Sequence, residues 1–507
     1  MSLLVTLALL ATVGRAYHID TANGNCVVDA GDSPPRRVAG LVAPNSTALN
    51  GDSRSDSDGG DGSACGCDPP LTREASYQVN RACPINAEPY LGKLREAGPI
   101  TPAELSLKRN HGPIPVLEHP KKFRLTIDGI MLASPIKLTL KDIASYPARQ
   151  VQTVVACAGN RRTEMNLARC PAPPLDAPEG DSPLIVTEPG GARVKVVDGV
   201  PWGAAALSNN EFTGTFLSDI LRDLLNGASF DTSSVYVEME GADISPEETS
   251  EGSTLGYASG VPLDYVLDDN NEVLLAYLMN GEPLPPEHGY PLRSVVPGQI
   301  GARSVKWLVK ITLLPEPSNS FFMQKDYKHF GPNTLPRATE PELPPEVIDA
   351  AAPMTSLNVQ LAITSPSDPA TNVAGSEGPV GISATENLYV EGFAFSGGGN
   401  AIQAVYVCLL EETEDTAACD EYGRWVTASL SPPAVPPAPL TESPGTQMWP
   451  WTFWEAHMGV PGEGDFMLIA RAVDTGNQNM PRDKCPIYSW RGVLNNAWYQ
   501  LPVSASA

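Results

Sequence analysis

Cys157 closes an apolar run, Val154-Val155-Ala156, and is followed by Ala158-Gly159-Asn160-Arg161-Arg162. A thiolate is a soft ligand for a transition metal. Glycine lets the backbone approach a bulky group, and paired arginines supply fixed donors for an oxyanion. The run therefore has the chemistry of a metal–thiolate site that handles an anion. The competing reading is a buried structural cysteine with two surface arginines, because an unpaired cysteine usually acts as a small hydrophobe.

Such a thiolate needs a rigid strand behind it. The apolar stretch 151–156 reads as that strand, and 123–127 as another; β-branched residues make 305–314 a third, while 273–279 is simply apolar. Helical spacing places Phe216, Leu217, Ile220, Leu221 and Leu224 on one side of 215–225. Residues 171–200 read as a proline-rich insertion. Beyond 357 the chain becomes short strand candidates separated by turn residues: 359–363, 388–395, 404–410, 424–429, 449–455, 466–473 and 498–503. Seven such strands in this length read as an immunoglobulin-like β-sandwich. The expected layout is a leader at 1–16, a low-complexity and disordered 17–75, an α+β catalytic region at 76–340, a linker at 341–356 and the sandwich at 357–505.

The chain has 507 residues, enough for two to four domains. Its formal charge of -25 argues against nucleic acid or an anionic membrane as a partner. An anionic substrate must then be drawn in by a local basic cluster against the overall field. The apolar stretch 3–13 is too short to span a bilayer and resembles a signal-peptide core, although it lacks a basic start. No later run reaches membrane-helix length. Nine cysteines are an odd count, so in an oxidising compartment one thiol stays free, and Cys157 is the natural candidate. Cys408 and Cys419 could bridge, but spacing alone does not decide it. Asn45 begins a glycosylation sequon.

Several blocks occur together in order: Asn-Ala-Glu-Pro at 86–89, Lys-Arg-Asn-His-Gly-Pro-Ile-Pro at 108–115, the cysteine run, Gly-Val-Pro-Trp at 199–202, and Tyr-Leu-Met-Asn-Gly at 277–281. Glu-His-Gly-Tyr-Pro-Leu-Arg at 287–293, Val-Pro-Gly at 296–298, Gly-Ala-Arg-Ser-Val-Lys-Trp-Leu at 301–308, Asp-Tyr-Lys at 326–328 and the glycine-rich 392–399 complete the set. With these blocks the chain resembles the sulfite oxidase family over most of 80–503.

The resemblance implies Cys157 as the protein's ligand to molybdenum, carried by molybdopterin. It implies cofactor contacts from Leu107, Lys108, Arg109, Asn110, His111, Asp243, His288, Arg293, Ser304, Val305 and Lys306, with Lys306 favoured over Arg303. Arg, Lys and His suit the phosphate of the pterin. A substrate pocket of Arg109, Arg162, Trp202, Tyr327 and Asn400 is implied, with Tyr327, Arg109 and Arg162 catalytic. Asp-Tyr-Lys at 326–328 favours the sulfite-oxidising branch over nitrate reductases.

Asn400 stands where the family commonly has an arginine, and Asp198 where relatives place a basic residue, so weaker sulfite binding or a different substrate is expected. No haem or nucleotide motif is seen, so electrons must pass to an external acceptor, oxygen or a cytochrome c-like carrier. The implied activity is oxidation of sulfite to sulfate by a homodimer. The alternatives are another oxyanion such as nitrate, reduction of sulfoxide-type substrates, or a secreted binding protein without turnover. The leader fits the secretory route or the mitochondrial intermembrane space, and the C-terminus lacks the Ser-Lys-Leu peroxisomal address.

Overall fold

The computed structural model of the chain describes residues 17–20, 25–28 and 76–507, except 83, 117–119, 178–179, 226–230, 245–255, 339–342 and 432–446. The chain divides into two compact units, Met1–Leu71 and Thr72–Ala507. In the first, Tyr17–Asp20 pairs antiparallel with Asn25–Val28. The leader, the sequon and most of 17–75 lie outside the described residues.

The larger unit opens with a three-stranded sheet, Tyr77–Arg81, Asn86–Pro89 and Lys108–Arg109, followed by two five-stranded sheets, the first of which leads into the cysteine block. Strand Arg149–Ala156 pairs antiparallel with Leu207–Phe216, which pairs in turn with Leu274–Met279. The second five-stranded sheet runs Gly256–Pro262, Tyr236–Ile244, Leu308–Leu314, Leu125–Gly129 and Ile136–Leu138; its Leu308–Leu314 and Leu125–Gly129 neighbours are parallel. Helix Leu217–Leu225 starts two residues later than the periodicity predicts, because Thr215 and Phe216 still belong to the strand. Leu217, Ile220 and Leu221 are buried. At roughly 1.5–3 kcal/mol per buried side chain, that face holds a nine-residue helix too short to persist alone.

The proline-rich 171–200 is not featureless. It contains the antiparallel pair Ile185–Thr187 and Arg193–Lys195. The linker contains helix Pro345–Ala350, started by proline at its first turn. Beyond it, a four-stranded and a five-stranded sheet pack into a sandwich. Leu388–Phe395 matches the reading of the sequence residue for residue. Val380–Ser383, which the sequence did not reveal, pairs parallel with the last strand, Tyr499–Ser506. One apolar core runs through both halves, joining Leu207 and Val305 to Val405 and Trp454.

Candidate active site

Cys157 lies immediately beyond strand Arg149–Ala156, its amide donating to the carbonyl of Ala206 (2.9 Å). It is buried and unpaired. Cys170–Cys485 and Cys408–Cys419 are disulfides. After Cys157 the chain turns sharply: Asn160 N–H donates back to its carbonyl (3.0 Å), and Arg161 takes a positive φ of 62°. Gly159 is required by close approach, because a Cβ there would stand 2.6 Å from a guanidinium nitrogen of Arg162.

Cys157 opens into a cleft of about 790 Å³. Of the residues expected at the cofactor or substrate, Leu107, Arg109, Asn110, His111, Asp243, His288, Arg293, Ser304, Lys306 and Tyr327 line it with Cys157. Five do not. Lys108 is buried behind His288 and donates to its Nε2 (2.9 Å), so it acts through that ring. Val305 faces the core. Trp202 is fully buried and packs directly on Cys157 with Ala206, as a wall. Arg162 donates to the carbonyls of Val200 (2.9 Å) and Arg491 (2.8 Å).

Asn400 is the clearest correction. It follows Gly398 and Gly399, whose φ angles of 67° and 74° turn the chain, and its amide donates to Asp474 Oδ2 (3.2 Å). It is held inside the sandwich's own loops and is not among the residues lining the cleft.

The sandwich residue that approaches the site is Arg491, which does not itself line the cleft. This residue lies in the long connection between Gly464–Asp474 and Tyr499–Ser506, pairs with Asp326 beside Tyr327, and stands 3.6 Å from Asp198. Asp198 is thus the partner of a cation, not merely a missing one. No periodicity marks Arg491 in the sequence. Ser208, Asn210 and Tyr257 also line the cleft. The only signal for the first two was a Ser-Asn-Asn run near the start of strand Leu207–Phe216.

Tyr327 follows a π-helical turn, Phe322–Asp326, of the kind that often marks functional positions. Its hydroxyl lies 2.9 Å from His111 Nε2. Burial, with Arg109, Lys306 and Arg491 around it, holds the His111 pKa well below its ordinary value. His288 is held down in the same way by burial and then by Lys108, Lys306 and Arg293. Both rings are therefore neutral near pH 7. Burial pulls Arg293 down to about 10 and pushes Asp243 up to about 7, the latter against the pull of Lys306. Arg303, by contrast, spends its guanidinium on Met354 and Ser259 outside the cleft.

This donor set fits a molybdopterin. Arg109 Nε and Asn110 Nδ2 are buried donors without a partner among the described residues, and Asp243 Oδ1 is a buried acceptor in the same condition. Buried groups of this kind are normally satisfied. A group with N–H donors for Asp243 and a phosphate for Arg109, Arg293 and Lys306 would satisfy them, and Cys157 supplies the sulfur for molybdenum.

Fold and site together define a molybdopterin-dependent oxidoreductase. Residues 111–322 match the family model described as the oxidoreductase molybdopterin binding domain, and 351–506 match the Mo-co oxidoreductase dimerisation domain. The chain is 33% identical over 435 residues to the mitochondrial sulfite oxidase of Homo sapiens, covering 86% of this chain and 67% of that protein. It is 33% identical over 434 residues to the sulfite oxidase of Arabidopsis thaliana, covering 85% and 94%. It is also 30% identical over 438 residues to the NADPH nitrate reductase of Aspergillus niger, covering 83% and 43%. The chain belongs to the sulfite oxidase family. Its fold resembles the sulfane dehydrogenase SoxCD of Paracoccus pantotrophus, with a TM-score of 0.57 at 20% identity, covering 92% of this chain and 100% of that one.

Proposed function

We propose that this molybdenum oxidoreductase oxidises sulfite to sulfate and passes the electrons to an external acceptor. The observation that carries the reading is Tyr327, whose hydroxyl enters the same cleft as Cys157, within reach of His111 and backed by Arg109. Bound through Cys157, the molybdenum cofactor supplies two-electron oxygen-atom transfer. The positive charge of Arg109, Arg162 and Arg491 draws in the anion, and the guanidinium N–H groups not spent on carbonyls or carboxylates orient its oxygens. Trp202 excludes water from the Cys157 side, which strengthens those contacts. The Tyr327 hydroxyl hydrogen-bonds an anion oxygen, with neutral His111 as its hydrogen-bond partner behind it. The overall change adds one water oxygen to sulfite and releases two protons and two electrons.

The same reading includes a homodimer formed through the sandwich, the catalytic and sandwich limits at 76–340 and 357–505, and a separate protein or oxygen as electron acceptor without a haem in this chain. The 30% identical nitrate reductase makes nitrate the second substrate to test. Metal analysis of the purified chain and its Cys157→Ala variant decides between them. About one molybdenum per chain, with a visible spectrum bleached by sulfite in the parent only, supports sulfite oxidation. Molybdenum that ignores sulfite, while the reduced protein is reoxidised by nitrate, replaces it with nitrate reduction. A cofactor-replete preparation without molybdenum ends the enzymatic reading.

A further inference from the structure

The loop that carries Arg491 is irregular, apart from one short turn at Cys485–Ile487. Connections of this length without strands or helices of their own are usually functional. This one runs along the cysteine block by single hydrogen bonds. Tyr488 donates to the Val196 carbonyl (2.7 Å), Arg162 to the Arg491 carbonyl (2.8 Å), Leu494 N–H to the Ala158 carbonyl (2.7 Å) and Asn495 to the Arg161 carbonyl (2.9 Å). Each contributes only about 0.5–1.5 kcal/mol. Against them stands like charge: after burial, the nearby cations Arg491 and Arg109 hold the Arg162 pKa below its ordinary value.

The ion pairs of Arg491 with Asp326 and Asp198 add to these hydrogen bonds, but one tie is covalent. Cys485 is bonded to Cys170, which follows the helix Glu164–Leu167, itself two residues past Arg162. Among the described residues this is the one cross-link between the cofactor-binding half and the sandwich; Cys408–Cys419 lies within the sandwich. The cross-link sits in a small core of its own, with Met165, Leu335 and Tyr488, none of which lines the cleft.

We propose that the Cys170–Cys485 disulfide is a positioning element of the oxyanion pocket: it pins the loop bearing Arg491 beside Arg162. The proposal rests on the oxyanion reading above. Without the bridge, the loop samples arrangements in which Arg491 no longer faces the anion, and apparent affinity falls with the competent fraction. The cofactor cleft, built from residues up to Tyr327, is untouched.

The test compares the parent, Cys170→Ser/Cys485→Ser, and Cys408→Ser/Cys419→Ser as a control lacking the distant bridge. Three quantities are measured: molybdenum content, the KM–kcat split for sulfite with the inhibition constant of sulfate, and amide hydrogen exchange over residues 488–495. The expected result for the first double variant is normal molybdenum, faster exchange in that segment, and KM and the sulfate constant raised about tenfold with kcat within about twofold. The control matches the parent. Unchanged exchange and unchanged KM overturn the proposal. So does a loss confined to kcat or to molybdenum. If the parent itself turns over no sulfite, the substrate reading fails, and the exchange rates still decide whether the bridge holds the loop. Should the double variant not fold, the same exchange is read on the parent after reduction by a dithiol, with liberated thiols counted. No increase at 488–495 once two further thiols at Cys170 and Cys485 are identified overturns the proposal.

Discussion

Arg162 donates its Nε–H to the backbone carbonyl of Arg491 at 2.8 Å. Two cationic residues from opposite halves of the molecule thus meet by a neutral carbonyl instead of head to head. Arg162 spends a second donor on the Val200 carbonyl, while the Arg491 guanidinium pairs with Asp326 and stands near Asp198.

Replacing Arg491 by glutamine removes one charge-assisted contact. KM for sulfite should rise about 10- to 100-fold, corresponding to ~1.5–3 kcal/mol, with molybdenum content unchanged. Steady-state kinetics with parallel metal analysis check this; an unaltered KM would mean that Arg491 does not reach the substrate.

Adding charge at Asn400 should do nothing for affinity. Its amide is committed to Asp474, so Asn400→Arg places the new cation beside that carboxylate, away from the cleft. The KM for sulfite is expected within about twofold of the parent, since a contact must form at the site to contribute there. A tenfold gain would show that the loop opens toward the cleft.

Tyr327→Phe keeps the ring in the wall of the cleft but removes the hydroxyl beside His111. Turnover should fall by at least about tenfold, while the melting temperature drops only by a few degrees, the loss of one buried hydrogen bond. Equal turnover in the two proteins would remove the hydroxyl from the mechanism.

Glu88 accepts from the amides of Gly203 (2.7 Å) and Ala205 (3.1 Å), the loop that carries Trp202. Burial raises its pKa from 4.5 to about 7, against the lowering effect of those bonds. Between these values the unfolded chain ionises first. This group therefore costs stability progressively as pH rises from 4.5 to 7, and nothing further above that, with a ceiling of about 3 kcal/mol. Denaturation of the parent and Glu88→Gln across this range should show the steeper decline with pH in the parent.

Removing the cofactor leaves Arg109, Arg293 and Lys306 facing one another in the cleft. Cofactor-free protein should melt several degrees lower, and inorganic phosphate should restore part of the loss by binding the folded state. Calorimetry with and without phosphate, using chloride at equal ionic strength as control, separates this from general screening.

The parts of the site that could be read in the sequence are those with local signatures. The cysteine run ends a strand whose apolar residues announce it, and the basic blocks at 107–111 and 287–306 keep their ligating types close together. Arg491 was invisible because it lies 329 residues from Arg162 and its position depends on tertiary contacts in a loop with no period. Asn400 misled for the opposite reason: its neighbours look diagnostic, yet two glycines with positive φ decide where it points. In the sandwich, Trp449 and Trp451 made 449–455 look like a strand from its first residue. The strand begins at Thr452, and Trp449 instead donates to Glu272 in the other half.

The cleft and its anion-receiving edge are separated along the chain as well as in space. All residues lining the cleft have been synthesised by Tyr327, whereas Arg491 follows more than 160 residues later. A chain cut short before Cys485 would lose that arginine together with the strand Tyr499–Ser506 and its share of the common core. Premature termination would thus cost the cysteine block its backing from residues 494–497 as well as the arginine, so the last stretch to be synthesised completes both the fold and the anion-receiving edge.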